Sequence, residues 1–307
     1  MEFRVTGSVT EPAFNHNKHG VTQEMLQDWL TLLMNKNAED VTAAQPDMGA
    51  SIKKESVQFL FQTCDKLKMS PEVKYLSLEL FDRFMLQHVN DLHQHVLKSG
   101  NLKTRDKDWL DIKKRVSNQV VLRIITCIQI ASKLTSHYRV LSPHRARRFL
   151  QDAGHRYNTE SIMQSELRVI KTLNFRLAKH SPLVYLEAIL ESLGHMDPSA
   201  NILKLHDLGM KLLDLVYLQY DDVYYKLYQV ATGGSPSTSQ QIDSFASVRA
   251  DKMLLMVSIV TASAYIIENE SHQKTMIMLS KLTKIPEEDI ADFASVIFNL
   301  VVDTRED

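Results

Sequence analysis

The sequence predicts an all-α protein made of two five-helix bundles in tandem, with one extra helix at the N-terminal end. Three observations lead there. Apolar residues recur at a spacing near 3.6 along most of the 307 residues, and no stretch shows the sustained alternation of a half-buried strand. Helix-opening residues stand at suitable intervals: Ser70-Pro71, Ser142-Pro143, Asn158-Thr159, and Pro286 followed by three acids that complement a helix dipole. Two segments, about 116–134 and 247–268, are apolar nearly all round, and each carries an Ala-Ser pair near its end, in "IQIASK" and "SIVTASAY".

Taken in order, residues 1–20 read as loose, and "TQEMLQDWLTLLM" (22–34) reads as an amphipathic helix with Met25, Leu26, Trp29, Leu32 and Leu33 on one face. A polar linker follows over 35–50. Helices are expected at about 52–68 and 71–88, then a charged insertion over 90–115 with some helical spacing of its own. The apolar helix 116–134 needs neighbours on every side, supplied by helices at about 143–152 and 159–173 and the two before it. From Pro182 the pattern starts again, with helices near 182–193, 199–228, 247–268, 272–283 and 286–302 and a flexible "TGGSPSTSQQ" at 232–241. "SELRVIKTL" and "DFASVIFNL" place a Val-Ile pair late in the fifth helix of each half. The implied division is 1–50, 51–181, 182–303 and a tail at 304–307.

Composition excludes several classes. With 36 basic and 37 acidic residues the formal net charge is −1, so no global attraction to nucleic acid or to an anionic membrane is expected. The longest uncharged stretch, 253–267, is shorter than the ~20 residues that span a bilayer. Cys64 and Cys127 are far apart within apolar helical patterns and read as buried thiols of a reducing compartment. Nine glycines and no glycine-rich loop argue against a nucleotide cradle. No cofactor, metal or catalytic constellation is expected.

The segment "IQIASKLT" (128–135) raises the functional question. Between Val120 and Ala131 the only clearly polar side chains are Arg123, Thr126 and Gln129, yet the helix ends on Ser132 and Lys133 before apolar Leu134. A lysine there suits the helix dipole and can snorkel to water, or it is held there to grip a partner.

Three motifs in order carry a family resemblance: "LELFDRF" (78–84), "IQIASKL" (128–134) and "SELRVIKTLNFRL" (165–177). They resemble the second, third and fifth helices of the cyclin box, over about 52–181. The second half is similar only in helix pattern, giving tandem cyclin-box-like bundles with a divergent second one. The chain is similar to the divergent cyclin N-terminal domain-containing group, which implies a role in meiotic crossover formation and a nuclear location with a cytoplasmic pool. The resemblance also implies a cyclin-dependent kinase as partner, other meiotic recombination proteins as further partners, and no enzymatic activity of the chain itself. It places Lys133 and Glu166 side by side on the kinase-binding face, with Ile130, Leu134 and Ile170 as its apolar surface. Aligned on the internal repeat, Lys133 meets Ala264 and Glu166 meets Phe293, so both charges belong to the first half alone.

The chain departs from the family in its first helix. Where many cyclins carry a Met-Arg-Ala-Ile-Leu stretch and a tryptophan that recruit substrates, this sequence has "IKKES" (52–56) and Phe59, which cannot form the same apolar cleft. Other signals are weak. His88, His93 and His95 lack the partners of a metal site. "HRARRF" (144–149) reads as a solvated helix face, and the Ser142-Pro143 pair as an N-cap and first turn. A kinase-independent adaptor role through 90–115 is the alternative to kinase binding.

Overall fold

The computed structural model describes residues 14, 21–98, 105–135, 139–177, 179–234, 245–268 and 272–303. The expected loose start apart from residue 14, the tail at 304–307 and most of the 232–241 segment lie outside them. All regular structure among the described residues is α-helical. The first half contains α1 (Gln23–Thr42), α2 (Lys54–Leu67), α3 (Pro71–Lys98), α4 (Arg105–Ser117), α5 (Val120–Thr135), α6 (Pro143–Asp152) and α7 (Thr159–Thr172). The second contains α8 (Pro182–Met196), α9 (Ile202–Leu218), α10 (Tyr220–Thr232), α11 (Ala246–Ala250), α12 (Lys252–Ile267), α13 (His272–Thr283) and α14 (Glu287–Asp303).

The two apolar helices are the hubs. α5 packs against α2, α3, α6 and α7, while α12 packs against α8, α9, α13 and α14. Leu122 to Ser132 are all buried along α5, as are Leu255 to Ala264 along α12, so each is walled in on every side. The two rings touch through α3 with α8 and α2 with α9. There the Asp214 carboxylate accepts from Lys74 Nζ at 2.7 Å and from the Tyr75 hydroxyl at 2.8 Å.

Several helix ends follow local chemistry. The Ser142 hydroxyl accepts from the Arg145 N–H at 3.3 Å with Pro143 in the first turn, and the Asn158 side chain accepts from the Ser161 N–H at 2.7 Å.

Four expectations need correction. First, α1 does not stop at residue 34 but runs to Thr42, and its buried stripe is Leu26, Leu30, Leu33 and Asn37. Met25, Trp29 and Leu32 are exposed. The helix continues because the Asn37 amide donates to Asp251 Oδ1 at 2.8 Å and accepts from the Met253 N–H at 3.2 Å, tying α1 to the start of α12. Second, α3 continues to Lys98, ten residues beyond expectation. No Gly or Pro interrupts it, Gln87 donates to Asp91 one turn on at 2.8 Å, and Val96 is buried. The described residues of the charged insertion thus belong to the end of α3 and to α4. Third, the single helix expected at 199–228 is broken at Gln219, which turns Tyr220 inward to lie 6.2 Å from Tyr217 and 4.6 Å from Tyr224. Fourth, 247–268 is broken at Asp251, whose carboxylate caps α12 by accepting from the Leu254 N–H at 2.8 Å.

Candidate functional site

Most polar residues of α5 have clear structural partners, although the Gln129 amide only reaches the Leu141 carbonyl at 3.4 Å and its Oε1 accepts no hydrogen bond among the described residues. Arg123 donates to Ser165 Oγ on α7 at 2.6 Å and to Gln119 Oε1 at 2.7 Å. Thr126 donates to the Leu122 carbonyl and shares a 2.7 Å hydrogen bond with Ser165. Ser132 donates to the Gln129 carbonyl at 2.8 Å and accepts from the Leu141 N–H at 3.0 Å. Its role is therefore structural: it fastens the chain leaving α5 to the start of α6.

Lys133 is different. Its ammonium reaches Glu166 Oε1 on α7 at 2.5 Å, with the side chains 41% and 14% exposed. An ion pair open to water on the cationic side contributes only about 0–1 kcal/mol to stability. The bond engages one of three ammonium donors and one of two carboxylate oxygens. The remaining capacity of both groups is available to a third party's backbone.

The apolar surround is only partly as expected. Leu134 is 46% exposed beside Lys133, and Ile170 is half-buried one turn beyond Glu166. Ile130 is a correction: at 2% exposure it faces the core and offers a partner no surface. On a helix apolar all round, periodicity cannot say which side the neighbours leave open. Met163, three residues before Glu166 and on the same flank, is exposed and takes the place assigned to Ile130. Leu167 is exposed next to it. Neither stood out in the sequence, because an exposed apolar residue on an amphipathic helix has no local signature.

The corresponding positions of the second half are closed. Ala264 is buried, and Phe293 is buried edge-on against Tyr224 with ring centroids 5.7 Å apart.

The Asp82-Arg83-Phe84 run of α3 serves architecture, residue by residue. The Asp82 carboxylate accepts from the N–H groups of Gly49 at 2.9 Å and Ser51 at 3.1 Å, and burial pushes its pKa up to about 6 despite those bonds. Arg83 donates to the Arg176 carbonyl just beyond α7 at 2.6 Å. Phe84 is fully buried and stacks on His88. At the start of α2, Ile52 is buried, and Lys53 pairs with Asp221 at 2.7 Å, so charge stands where an apolar cleft would be needed. His93 lies against Trp109, and among the described residues no group of three or more His, Cys, Asp and Glu is placed to hold a metal ion. Among them, too, no helix is long and apolar enough to cross a membrane.

Two rings of helices around two apolar hubs, with an open charged pair at the rim of the first, are the architecture of a double cyclin-type bundle. The family model "Cyclin, N-terminal domain" matches residues 21–178, and the chain belongs to the cyclin family. It is similar to cyclin N-terminal domain-containing protein 1 of Mus musculus, 33% identical over 278 residues that cover 90% of this chain and 83% of the mouse protein. The Homo sapiens protein of the same name is 32% identical, with 90% and 84% covered. G2/mitotic-specific cyclin-B2 of Gallus gallus is 25% identical over 175 residues, covering 57% of this chain and 35% of the chicken protein.

Proposed function

We propose that this chain is a non-enzymatic regulatory subunit that binds a cyclin-dependent kinase along the rim of α5 and α7 and promotes crossover maturation in meiotic recombination, in the nucleus. The reading takes 51–181 as the cyclin box and 182–303 as a second, divergent unit. The observation that carries it is the Lys133–Glu166 pair, held open on the first bundle beside Leu134, Met163 and Ile170. The lysine donates to backbone carbonyls of the kinase beside its movable helix, and the glutamate accepts from backbone N–H groups. The apolar rim receives that helix and holds it inward, which completes the Lys–Glu pair inside the kinase active site. The chain contributes binding energy and shape; the kinase performs phosphoryl transfer. The meiotic role rests on the similarity to the cyclin N-terminal domain-containing proteins.

The double variant Lys133→Glu/Glu166→Lys tests this reading, because it preserves the ion pair and reverses what a partner meets. Affinity purification from germ cells should lose the kinase while the thermal midpoint stays unchanged. Undiminished kinase recovery would refute it.

One observation favours an adaptor role as the second reading. α4 has no buried residue, and Leu97 and Leu110 are exposed on the arm formed by α3 and α4. If that arm docks the partner, Leu97→Ser/Leu110→Ser removes it and the charge swap does not.

A further inference from the structure

We propose that the recess between α5 and α7 binds the phosphate of a phosphoserine or phosphothreonine side chain on a partner protein. This goes beyond the kinase-binding reading and rests on different residues.

The recess is a cavity of about 520 Å³ whose polar lining includes Gln119, Arg123, Tyr157, Ser161, Arg168 and Lys171. Three of these are cations, and no acidic residue lines it. Arg123 is the anchor. It is only 5% exposed, and its guanidinium is met by neutral groups alone: Ser165 Oγ, Gln119 Oε1 and the face of Phe84, 5.5 Å from the ring centroid. Among the described residues, no carboxylate lies within ion-pair distance of Arg123, Arg168 or Lys171. A charge taken out of water is ordinarily matched by an opposite one, and here that match is absent. Burial first, then Arg168, pushes the Arg123 pKa down, and after burial both arginines push that of His88 down, so the local field is positive.

The chemistry that satisfies this arrangement is a compact dianion with several acceptor oxygens. Phosphate on a serine or threonine side chain suits guanidinium donors, while Tyr157 and Ser161 add neutral hydroxyls. Nucleic acid fits less well, since tracking its backbone needs successive stacking platforms, whereas the recess lining holds a single aromatic side chain, Tyr157. Successive helix residues are about 100° apart, which sets Arg168 on the flank of α7 opposite Glu166. The two sites therefore use different charged residues, although Leu167 borders both.

The test uses the full chain, an oriented phosphoserine/phosphothreonine peptide library and its unphosphorylated twin, with phenyl phosphate as competitor. Arg168 and Lys171 are exposed, so Arg168→Glu/Lys171→Glu should leave the melting curve intact. The phosphorylated library should be retained about tenfold better than its twin, be released by phenyl phosphate, and lose that margin in the double variant. The Lys133→Glu/Glu166→Lys swap should leave retention unchanged, which separates this site from the kinase-binding face. Equal retention of both libraries, retention indifferent to the double variant, or tighter and equally variant-sensitive capture of a single-stranded oligonucleotide would each overturn the proposal.

Discussion

The Asp82 carboxylate on α3 accepts a 2.9 Å hydrogen bond from the N–H of Gly49, a residue of the turn between α1 and α2. Burial is the main influence on Asp82 and raises its pKa from 3.8 to about 6, with the Gly49 and Ser51 N–H groups opposing it. Because the folded value lies above the unfolded one, this group's stabilising contribution is fully present below 3.8 and is lost as the pH rises through about 6. Asp82→Asn removes that dependence. In denaturant melts at stepped pH, the parent should lose stability relative to the variant across this window. Parallel pH profiles would contradict the assignment.

Gly49 itself answers to Tyr220. Its φ is +82°, and a Cβ there would stand 2.5 Å from the Tyr220 ring. Gly49→Ala should therefore destabilise by more than the ~1 kcal/mol of an ordinary glycine replacement. Combined with Tyr220→Ala the two effects should be less than additive, a coupling that a double-mutant cycle in urea reads directly.

Ile130 and Leu134 separate core from rim. Ile130→Ala should cost about 2–5 kcal/mol, since it empties a buried site. Leu134→Ala should shift stability by less than about 0.5 kcal/mol and weaken kinase binding. Chemical denaturation checks the first half, and titration with the purified kinase the second.

Asn37 fastens α1 to the second bundle. Asn37→Ala leaves the half-buried Asp251 carboxylate without its side-chain donor, a loss of about 1–3 kcal/mol. Limited proteolysis should then cut within 23–42 before any other helix.

What the sequence revealed divides along physical lines. Ends set by local chemistry, such as Ser142-Pro143 and Asn158, were legible because cap and first turn adjoin in the chain. The extension of α1 was not, since its cause is Asp251, 214 residues away. The breaks at Gln219 and Asp251 likewise answer to an aromatic cluster and to a strap from the other end of the chain. At the candidate site, Lys133 and Glu166 were legible as charges out of character with their helices. Ile130 and Met163 exchanged roles because only packed neighbours decide which apolar side chain stays outside.

Hydrogen exchange on the full chain, with and without a purified cyclin-dependent kinase recovered with it, tests the central claim most directly. Kinase addition should slow exchange at residues 133–135 and 163–171 and leave the arm of α3 and α4 unchanged. Protection confined to that arm, with the rim of α5 and α7 exchanging as before, would contradict the account.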